Sequence, residues 1–188
     1  MKRDITQALV NEHRLILRML AILEKNALRT ALGGYGNYRF YLDAVDFIRN
    51  YADRFHHAKE EDILFEALVT NGMPRANSPV AAMLMEHDQG RAFVRAMEEA
   101  ALAALAGKPG MDEIIAENAL GYLELLKEHI SKEDGILYPL AERLIPEGVR
   151  DGIIAGYEAA GGRTPADFEE RYVKTVERYE AEATDRAA

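Results

Sequence analysis

Histidine and glutamate recur together in two similar stretches, whose first histidines, His56 and His129, are 73 positions apart. One stretch reads His-His-Ala-Lys-Glu-Glu-Asp-Ile-Leu-Phe and the other reads His-Ile-Ser-Lys-Glu-Asp-Gly-Ile-Leu-Tyr. In each stretch a glutamate, Glu60 or Glu133, follows the first histidine by four residues. Because residues four apart lie on one face of an α-helix, each stretch offers an imidazole and a carboxylate that point the same way. Two such pairs in similar apolar surroundings predict a metal site with two-fold character.

The composition limits which chemistry these groups can support. The chain has 188 residues, enough for one domain with a sizeable core, and it contains no cysteine. Disulfides, iron–sulfur clusters, cysteine-bound zinc and thiol catalysis are therefore excluded, and metal ligands must be imidazole and carboxylate groups. The net charge of −9 and the lack of a cluster of Lys and Arg argue against a nucleic-acid partner.

The spacing of apolar residues predicts four long amphipathic helices that would position these groups. Glycine and proline mark the turns between them, and Ser78-Pro79 has the form of an N-cap followed by a proline. Short connections between long helices favour an all-α fold, an antiparallel up-down-up-down four-helix bundle. Pro139 falls within the fourth helix, where we expect the last turn to kink or tighten. The predicted helices cover residues 4–30, 37–71, 79–106 and 111–144.

The sequence divides at residue 145 into two predicted units. Residues 1–145 would form the bundle with a dinuclear metal site, and residues 146–188 would form a C-terminal helical extension. The extension would contain a short helix over 148–160 and a polar helix that begins near Thr164. It has no histidine, so we expect it to serve packing or the formation of a homo-oligomer.

No targeting or membrane segment is predicted. The start Met1-Lys2-Arg3 leads into an amphipathic segment and not into the apolar core of a signal peptide. The chain has no apolar run of about 18 residues, the length that a membrane-spanning helix requires. We therefore expect a cytoplasmic protein without a membrane partner.

A helical projection separates the inward polar residues from the outward ones. His57 shares its side of the second helix with polar residues such as Asn50 and Asp53. We therefore expect His57 and Glu61 to form a solvated pair or to support the metal ligands from outside. At about 100° per residue, the groups that share a face with apolar side chains are His13, His56, Glu60, His87, His129 and Glu133.

Six inward polar groups on four helices are difficult to satisfy by hydrogen bonds alone. A single buried histidine is commonly a hydrogen-bonded core residue, but an unpaired buried carboxylate is costly. A pair of cations would neutralise the carboxylates and use the imidazole lone pairs. Such mixed donors suit iron, manganese or zinc and argue against copper(I), which prefers sulfur. Two six-coordinate ions need about twelve donors, and about ten are accounted for with a shared oxygen bridge, so about two positions stay open to a small ligand.

These residues resemble the hemerythrin-like (HHE cation-binding) family. The resemblance implies an antiparallel four-helix bundle that holds a non-haem diiron centre. It covers roughly residues 5–145 and rests on His13, the His56…Glu60 and His129…Glu133 pairs, and Glu86-His87-Asp88 of the third helix.

The resemblance also implies which side chains bind the two iron ions. His13 and His56 would bind one iron, and His87 and His129 would bind the other. Glu60 and Glu133 would bridge the two ions. The resemblance assigns no catalytic residue.

Two features depart from the oxygen-carrying hemerythrins. Those carriers place two histidines four residues apart on the third helix, whereas Met83 and Arg91 stand four positions from His87 here. Their fourth-helix carboxylate also lies one residue further on, where this chain has Asp134. One iron is therefore expected to be less saturated than in a carrier, which argues against simple reversible oxygen storage. Arg91 is placed either to hydrogen-bond a bound anion or peroxide, or to form a salt bridge at the end of the bundle.

Three functions are compatible with these residues. The leading hypothesis is a diiron protein that binds or senses dioxygen, peroxide or nitric oxide. The second is an enzyme that uses the same centre, for peroxide disproportionation or a nitric-oxide-related reaction. The third is an iron-responsive or iron-storage module. A ferritin-like diiron bundle is excluded, because it needs Glu-x-x-His on two helices and no Glu-x-x-His occurs in the chain.

Overall fold

The computed structural model describes residues 3–185, which are helical with short connections and contain no strand. This confirms the all-α prediction, while predictions for residues 1–2 and 186–188 fall outside the described range. The first four helices form the bundle, in which α4 packs along α1 and α3, and α3 also packs along α2. None of the described helices is long and apolar enough to cross a membrane. The helices are α1 (Gln7–Ala31), α2 (38–70), α3 (Pro79–Leu105), α4 (111–144), α5 (Glu147–Gly161) and α6 (Phe168–Asp185).

Two of the bundle helices contain π-helical segments, in which the turn is wider than in an α-helix. In α4 the segment Glu133–Leu137 is π-helical and the flanking stretches are α-helical. The helix therefore widens ahead of Pro139, where the sequence predicts a kink or a tighter turn. A wider turn suits a proline, which lacks an N–H and clashes with the carbonyl four residues earlier. In α2 the π-helical segments are Ile48–His57 and Glu60–Leu64, between the α-helical stretches Tyr38–Phe47 and Phe65–Thr70.

Local capping chemistry sets several helix boundaries, as the sequence predicts. Ser78 caps α3 by accepting a hydrogen bond from the backbone N–H of Ala81 at 3.3 Å. Glycines with positive φ follow α1 and α2, Gly33 at 70° and Gly72 at 103°. The last helix, α6, begins at Phe168, later than the predicted start.

The candidate metal ligands lie between two hydrophobic clusters of the bundle. The larger cluster includes Ile16 and Val94, and the smaller cluster includes Leu9 and Met83. His13, for example, stands on α1 between Leu9 and Ile16. A polar layer thus crosses an otherwise apolar interior, where a charge is costly unless it is paired.

The C-terminal helices pack against the bundle of the same chain. Phe168, Tyr172 and Tyr179, on one apolar stripe of α6, belong to the larger hydrophobic cluster. Tyr157 of α5 belongs to the smaller cluster. The apolar stripe of α6 is therefore covered within the chain. The division at residue 145 and a role of the extension in oligomer formation stay predictions.

Arg150 joins α5 to the end of α4 and to the N-terminal segment. Its fully buried side chain donates hydrogen bonds to the backbone carbonyls of Arg3 at 2.6 Å, Glu142 at 2.7 Å and Ile145 at 3.0 Å. It also pairs with the carboxylate of Glu142, and that carboxylate accepts the backbone N–H of Ile5 at 2.7 Å. One guanidinium on α5 therefore satisfies acceptors from two other segments of the chain.

We expect Arg150→Leu to lower the free energy of unfolding by about 3 kcal/mol, because it removes the cation that pairs with the Glu142 carboxylate and the donor to the backbone carbonyls. Urea unfolding followed by circular dichroism measures this difference. Arg143→Leu, at an exposed position of α4, is the matched control and should change the free energy by less than about 0.5 kcal/mol. Equal effects of the two substitutions would contradict the role of Arg150.

Candidate metal centre

All five histidines of the chain are buried in the polar layer of the bundle. Glu60 and Glu133, which belong to the π-helical segments of α2 and α4, are fully buried among them. The predicted inward orientation of four histidines and both glutamates is therefore confirmed. The histidines are His13 on α1, His56 and His57 on α2, His87 on α3 and His129 on α4.

The side chains form two clusters that share one glutamate. In each cluster, one donor atom from every residue lies within 4.8 Å of the others. Each cluster thus has the donors and the dimensions to hold one metal ion. The first cluster consists of His13, His56, Glu60 and Glu133, and the second cluster consists of His57, Glu60, His87 and His129.

Histidine ring nitrogens and carboxylate oxygens meet at short distances inside the layer. The Nε2 atoms of His13 and His56 are 2.9 Å apart, and those of His87 and His129 are 3.1 Å apart. Each carboxylate reaches a histidine of both clusters, as a bridging ligand must. Glu133 has a carboxylate oxygen 3.3 Å from Nε2 of His13 and another 3.1 Å from Nε2 of His129. Glu60 has an oxygen 3.8 Å from Nε2 of His56 and 3.6 Å from Nε2 of His87.

The two carboxylates fit a pair of cations because they are poorly satisfied by protein groups. Glu60 Oε2 and both oxygens of Glu133 have no hydrogen bond of good geometry among the described residues. Burial and the charge of Glu133 raise the pKa of Glu60 well above its usual range. Burial would also raise the pKa of Glu133, but the imidazoles of His129 and His13 hold it well below that range. Two carboxylates this close do not both ionise unless a cation neutralises them.

A carboxylate orients each of four histidines at its other ring nitrogen. A histidine that donates a hydrogen bond from Nδ1 keeps the lone pair of its Nε2 directed into the cluster. Metal-binding histidines adopt this arrangement. The four hydrogen bonds run from Nδ1 of His13 to Asp134 at 2.9 Å, of His56 to Glu12 at 2.9 Å, of His87 to Glu61 at 2.6 Å and of His129 to Glu86 at 2.9 Å.

The groups around the histidines repeat with two-fold symmetry. Glu12 also pairs with Lys59, and Glu86 also pairs with Lys132. The two lysines occupy the same position in the repeated stretches, and each glutamate directly precedes a cluster histidine. Sequence reasoning missed the roles of Glu12 and the two lysines, although the repeated lysine was a visible signal for them.

His57 is buried, and the prediction that it faces a polar surface was wrong. Its exposed fraction is 6%, against 1% for His56. The prediction assumed about 100° per residue, but Ile48–His57 is π-helical, and a wider turn advances each residue by a smaller angle. Both neighbours therefore point inward, His56 to the first cluster and His57 to the second.

Glu61 and Arg91 support His87. Of the two alternatives predicted for His57 and Glu61, the solvated pair is therefore not formed, and Glu61 instead supports a candidate ligand from outside. Glu61 accepts hydrogen bonds from His87 and, at 2.7 Å, from Arg91. Arg91 also pairs with Asp53 at 2.7 Å and with Asp88 at 3.0 Å. Of the two roles considered for Arg91, the salt bridge is the one observed.

A tyrosine hydroxyl enters the first cluster. Tyr138 donates a hydrogen bond to Glu60, and its oxygen lies 3.4 Å from His13 Nε2. Burial and the charge of Glu60 raise the pKa of Tyr138 well above its usual range, so the hydroxyl keeps its proton. Sequence reasoning did not single out this residue. The available signal was a difference between the two repeats, which end in Phe65 and Tyr138.

A cavity of about 260 Å³ borders the second cluster. Its lining includes His57, His87 and His129, together with Tyr122 and Arg91. His13 and His56, the histidines of the first cluster, do not line it. A small ligand can therefore approach the polar layer from the side of the second cluster.

This geometry defines a class of protein, a helical bundle with a buried site of histidines and carboxylates for cations. The sequence model of the hemerythrin HHE cation binding domain matches residues 4–141. The chain therefore belongs to the hemerythrin HHE cation-binding family, as the resemblance in its motifs predicts.

Two curated relatives are uncharacterised mycobacterial proteins. One is from Mycobacterium tuberculosis strain H37Rv and the other is from Mycobacterium bovis, and each is 21% identical to this chain over 131 residues. The matched region covers 70% of this chain and 51% of each relative, so the chain spans about half the length of these proteins. No solved structure matches the chain significantly.

The contacts of Glu61 predict a pH dependence of stability in the metal-free protein. Burial alone would raise the pKa of Glu61, but the hydrogen bonds from His87 and Arg91 lower it from 4.5 to about 2. The unfolded chain therefore binds this proton at a higher pH than the folded chain does. Glu61 thus stabilises the fold above about pH 4.5, and its contribution is lost as the pH falls towards 2.

We expect Glu61→Gln to lower the free energy of unfolding at neutral pH and to make its decrease below about pH 4.5 shallower than in the wild type. Urea unfolding at a series of pH values measures both effects. Glu113→Gln, at an exposed position, should keep the wild-type pH dependence. If Glu61→Gln keeps it as well, the ionised contact of Glu61 does not stabilise the fold.

Proposed function

We propose that the protein binds two iron ions in its two clusters and uses them to bind or sense dioxygen, peroxide or nitric oxide. The observation that carries this proposal is the pair of buried carboxylates, which reach histidines of both clusters although three of their four oxygens have no hydrogen bond of good geometry among the described residues. Bound iron would supply redox chemistry and coordination positions for the small ligand. The proposed ligands are His13 and His56 for one ion, His87 and His129 for the other, and Glu60 and Glu133 as bridges.

The residues of the chain prepare the histidines for this role. The carboxylates at Nδ1 fix the tautomer that presents an unprotonated Nε2 to the metal. Lys59 and Lys132 balance the charges of Glu12 and Glu86. The hydrophobic clusters on both sides of the layer limit the access of water, which strengthens the electrostatic interactions inside it. The Tyr138 hydroxyl holds a proton at Glu60, within reach of a ligand bound in the first cluster.

A second function, peroxide disproportionation at the same centre, is favoured by Tyr138. Peroxide chemistry requires protons to be given and taken back, and a positioned side chain can do this. Tyr138 is a protonated, buried hydroxyl in contact with a bridging carboxylate and 3.4 Å from a ligand nitrogen. A binder and an enzyme share the site and differ in turnover.

We expect the aerobically purified protein to contain about two iron ions per chain and to show diiron absorption bands that change with dithionite and with peroxide. His56→Ala and His129→Ala should each reduce the iron content to one ion or none, because each removes an Nε2 donor from a cluster. Metal analysis and ultraviolet–visible spectra measure both results. Glu113→Gln, at an exposed position, is the control and should keep the full iron content.

The same samples separate the functions. Reversible spectral changes without turnover indicate a binder or sensor, and oxygen evolution from peroxide in proportion to bound iron indicates the enzyme. Loss of helicity or protease resistance on chelation, without ligand binding, indicates an iron-responsive module. A colourless protein that holds zinc or no metal would contradict the proposed oxygen chemistry.

A further inference from the structure

The internal repeat relates the two clusters, and the relation fails at one buried histidine. The position of His56 in the first repeat corresponds to that of His129 in the second. The next position holds His57 in the first repeat and Ile130 in the second. Both residues are buried, but only one of them carries a metal donor. The second cluster therefore contains an imidazole that has no counterpart in the first.

The backbone differs at the same place. The ten residues Ile48–His57 of α2 are π-helical, whereas α4 is α-helical over Met111–Lys132, up to and beyond Ile130. π-helical segments are rare and frequently occur at functional sites. The wide turn brings His57 to the second cluster while its neighbour His56 reaches the first. The unusual backbone and the extra imidazole thus coincide.

His57 lies against the other histidines of the second cluster and has a carboxylate near one ring nitrogen. Its ring stacks on that of His87, with 3.8 Å between centroids and 9° between planes, and its centroid is 5.7 Å from that of His129. Its Nδ1 faces the carboxylate of Asp53 at 3.4 Å, and Arg91 holds that carboxylate in place. This approach is longer than the hydrogen bonds of 2.6–2.9 Å at the other four histidines, and His57 Nδ1 makes no hydrogen bond among the described residues.

We propose that His57 is a fifth histidine ligand, which binds the metal ion held by His87 and His129. This inference rests on the dinuclear centre of the proposed function and adds a ligand to it. The second cluster then offers three imidazoles and the first cluster offers two, so the two ions have different ligand sets. The count of donors then leaves the open coordination position in the first cluster, next to the hydroxyl of Tyr138 and outside the lining of the cavity that borders the second cluster.

Counting the coordinated histidines tests the proposal in the full wild-type chain. Zinc is the probe, because it is diamagnetic and accepts the same donors. Long-range ¹H–¹⁵N correlation spectra distinguish a metal-bound Nε2 from that of a free imidazole. We expect all five histidines of the chain to show a bound nitrogen. The chemical shifts of a free imidazole at His57, with the other four bound, would overturn the proposal.

His57→Ile, which installs the residue found at the corresponding position of α4, tests the proposal with iron. We expect one of the two ferrous ions to bind at least about tenfold more weakly, because the ion loses a ligand. We also expect the variant to bind about two azide anions per chain, whereas the wild type should bind about one, because the substitution opens a coordination position in the second cluster. Ile130→Val is the matched control and should keep both wild-type values.

The outcomes separate this inference from the proposed function. Wild-type iron affinity and one azide per chain in a folded His57→Ile would overturn the role of His57 alone. A wild-type chain that does not bind a pair of ions would refute the dinuclear centre itself. Circular dichroism establishes that the variant is folded, and the zinc spectra of the wild type need no variant.

Discussion

Two carboxylates buried side by side in an apolar interior impose the constraint on which the rest of the structure depends. Glu60 and Glu133 are fully buried, an oxygen of each lies within 4.8 Å of the other, and three of their four oxygens have no hydrogen bond of good geometry among the described residues. Such charges are tolerated only when they are neutralised or coordinated. The histidines of the layer surround them, and a second set of carboxylates orients those histidines. The hydrophobic clusters on either side place this polar layer at a fixed level of the bundle.

The fold and the inward orientation of four of the five histidines could be predicted from the sequence, because burial repeats with the helical period. His13, His87 and His129 lie on α-helical stretches, where about 100° per residue is a good description. The glycine and proline signals marked the ends of the helices for the same reason, since they act through the local backbone. The repeat added an independent register for Glu60 and Glu133. These features are local in sequence, and local rules describe them.

The remaining features of the candidate site arise from tertiary structure. The orientation of His57 depends on the π-helical segment Ile48–His57, which a fixed angle per residue cannot describe. If His57 binds the ion held by His87 and His129, α2 supplies the third imidazole that the oxygen-carrying hemerythrins place on the third helix. The hydroxyl of Tyr138 reaches Glu60 from another helix, 78 positions away along the chain. Lys59, a residue type that is rarely buried, is accommodated because it pairs with Glu12 and covers the ring of Phe55.

The central claim is that the two clusters hold a pair of iron ions bridged by the two buried carboxylates. Anomalous diffraction from crystals of the aerobically purified protein, recorded on both sides of the iron absorption edge, tests it most directly. Two iron peaks about 3.5–4 Å apart, between Glu60 and Glu133, are the predicted result. A single peak, a peak outside the polar layer, or no iron signal in that layer would contradict the claim.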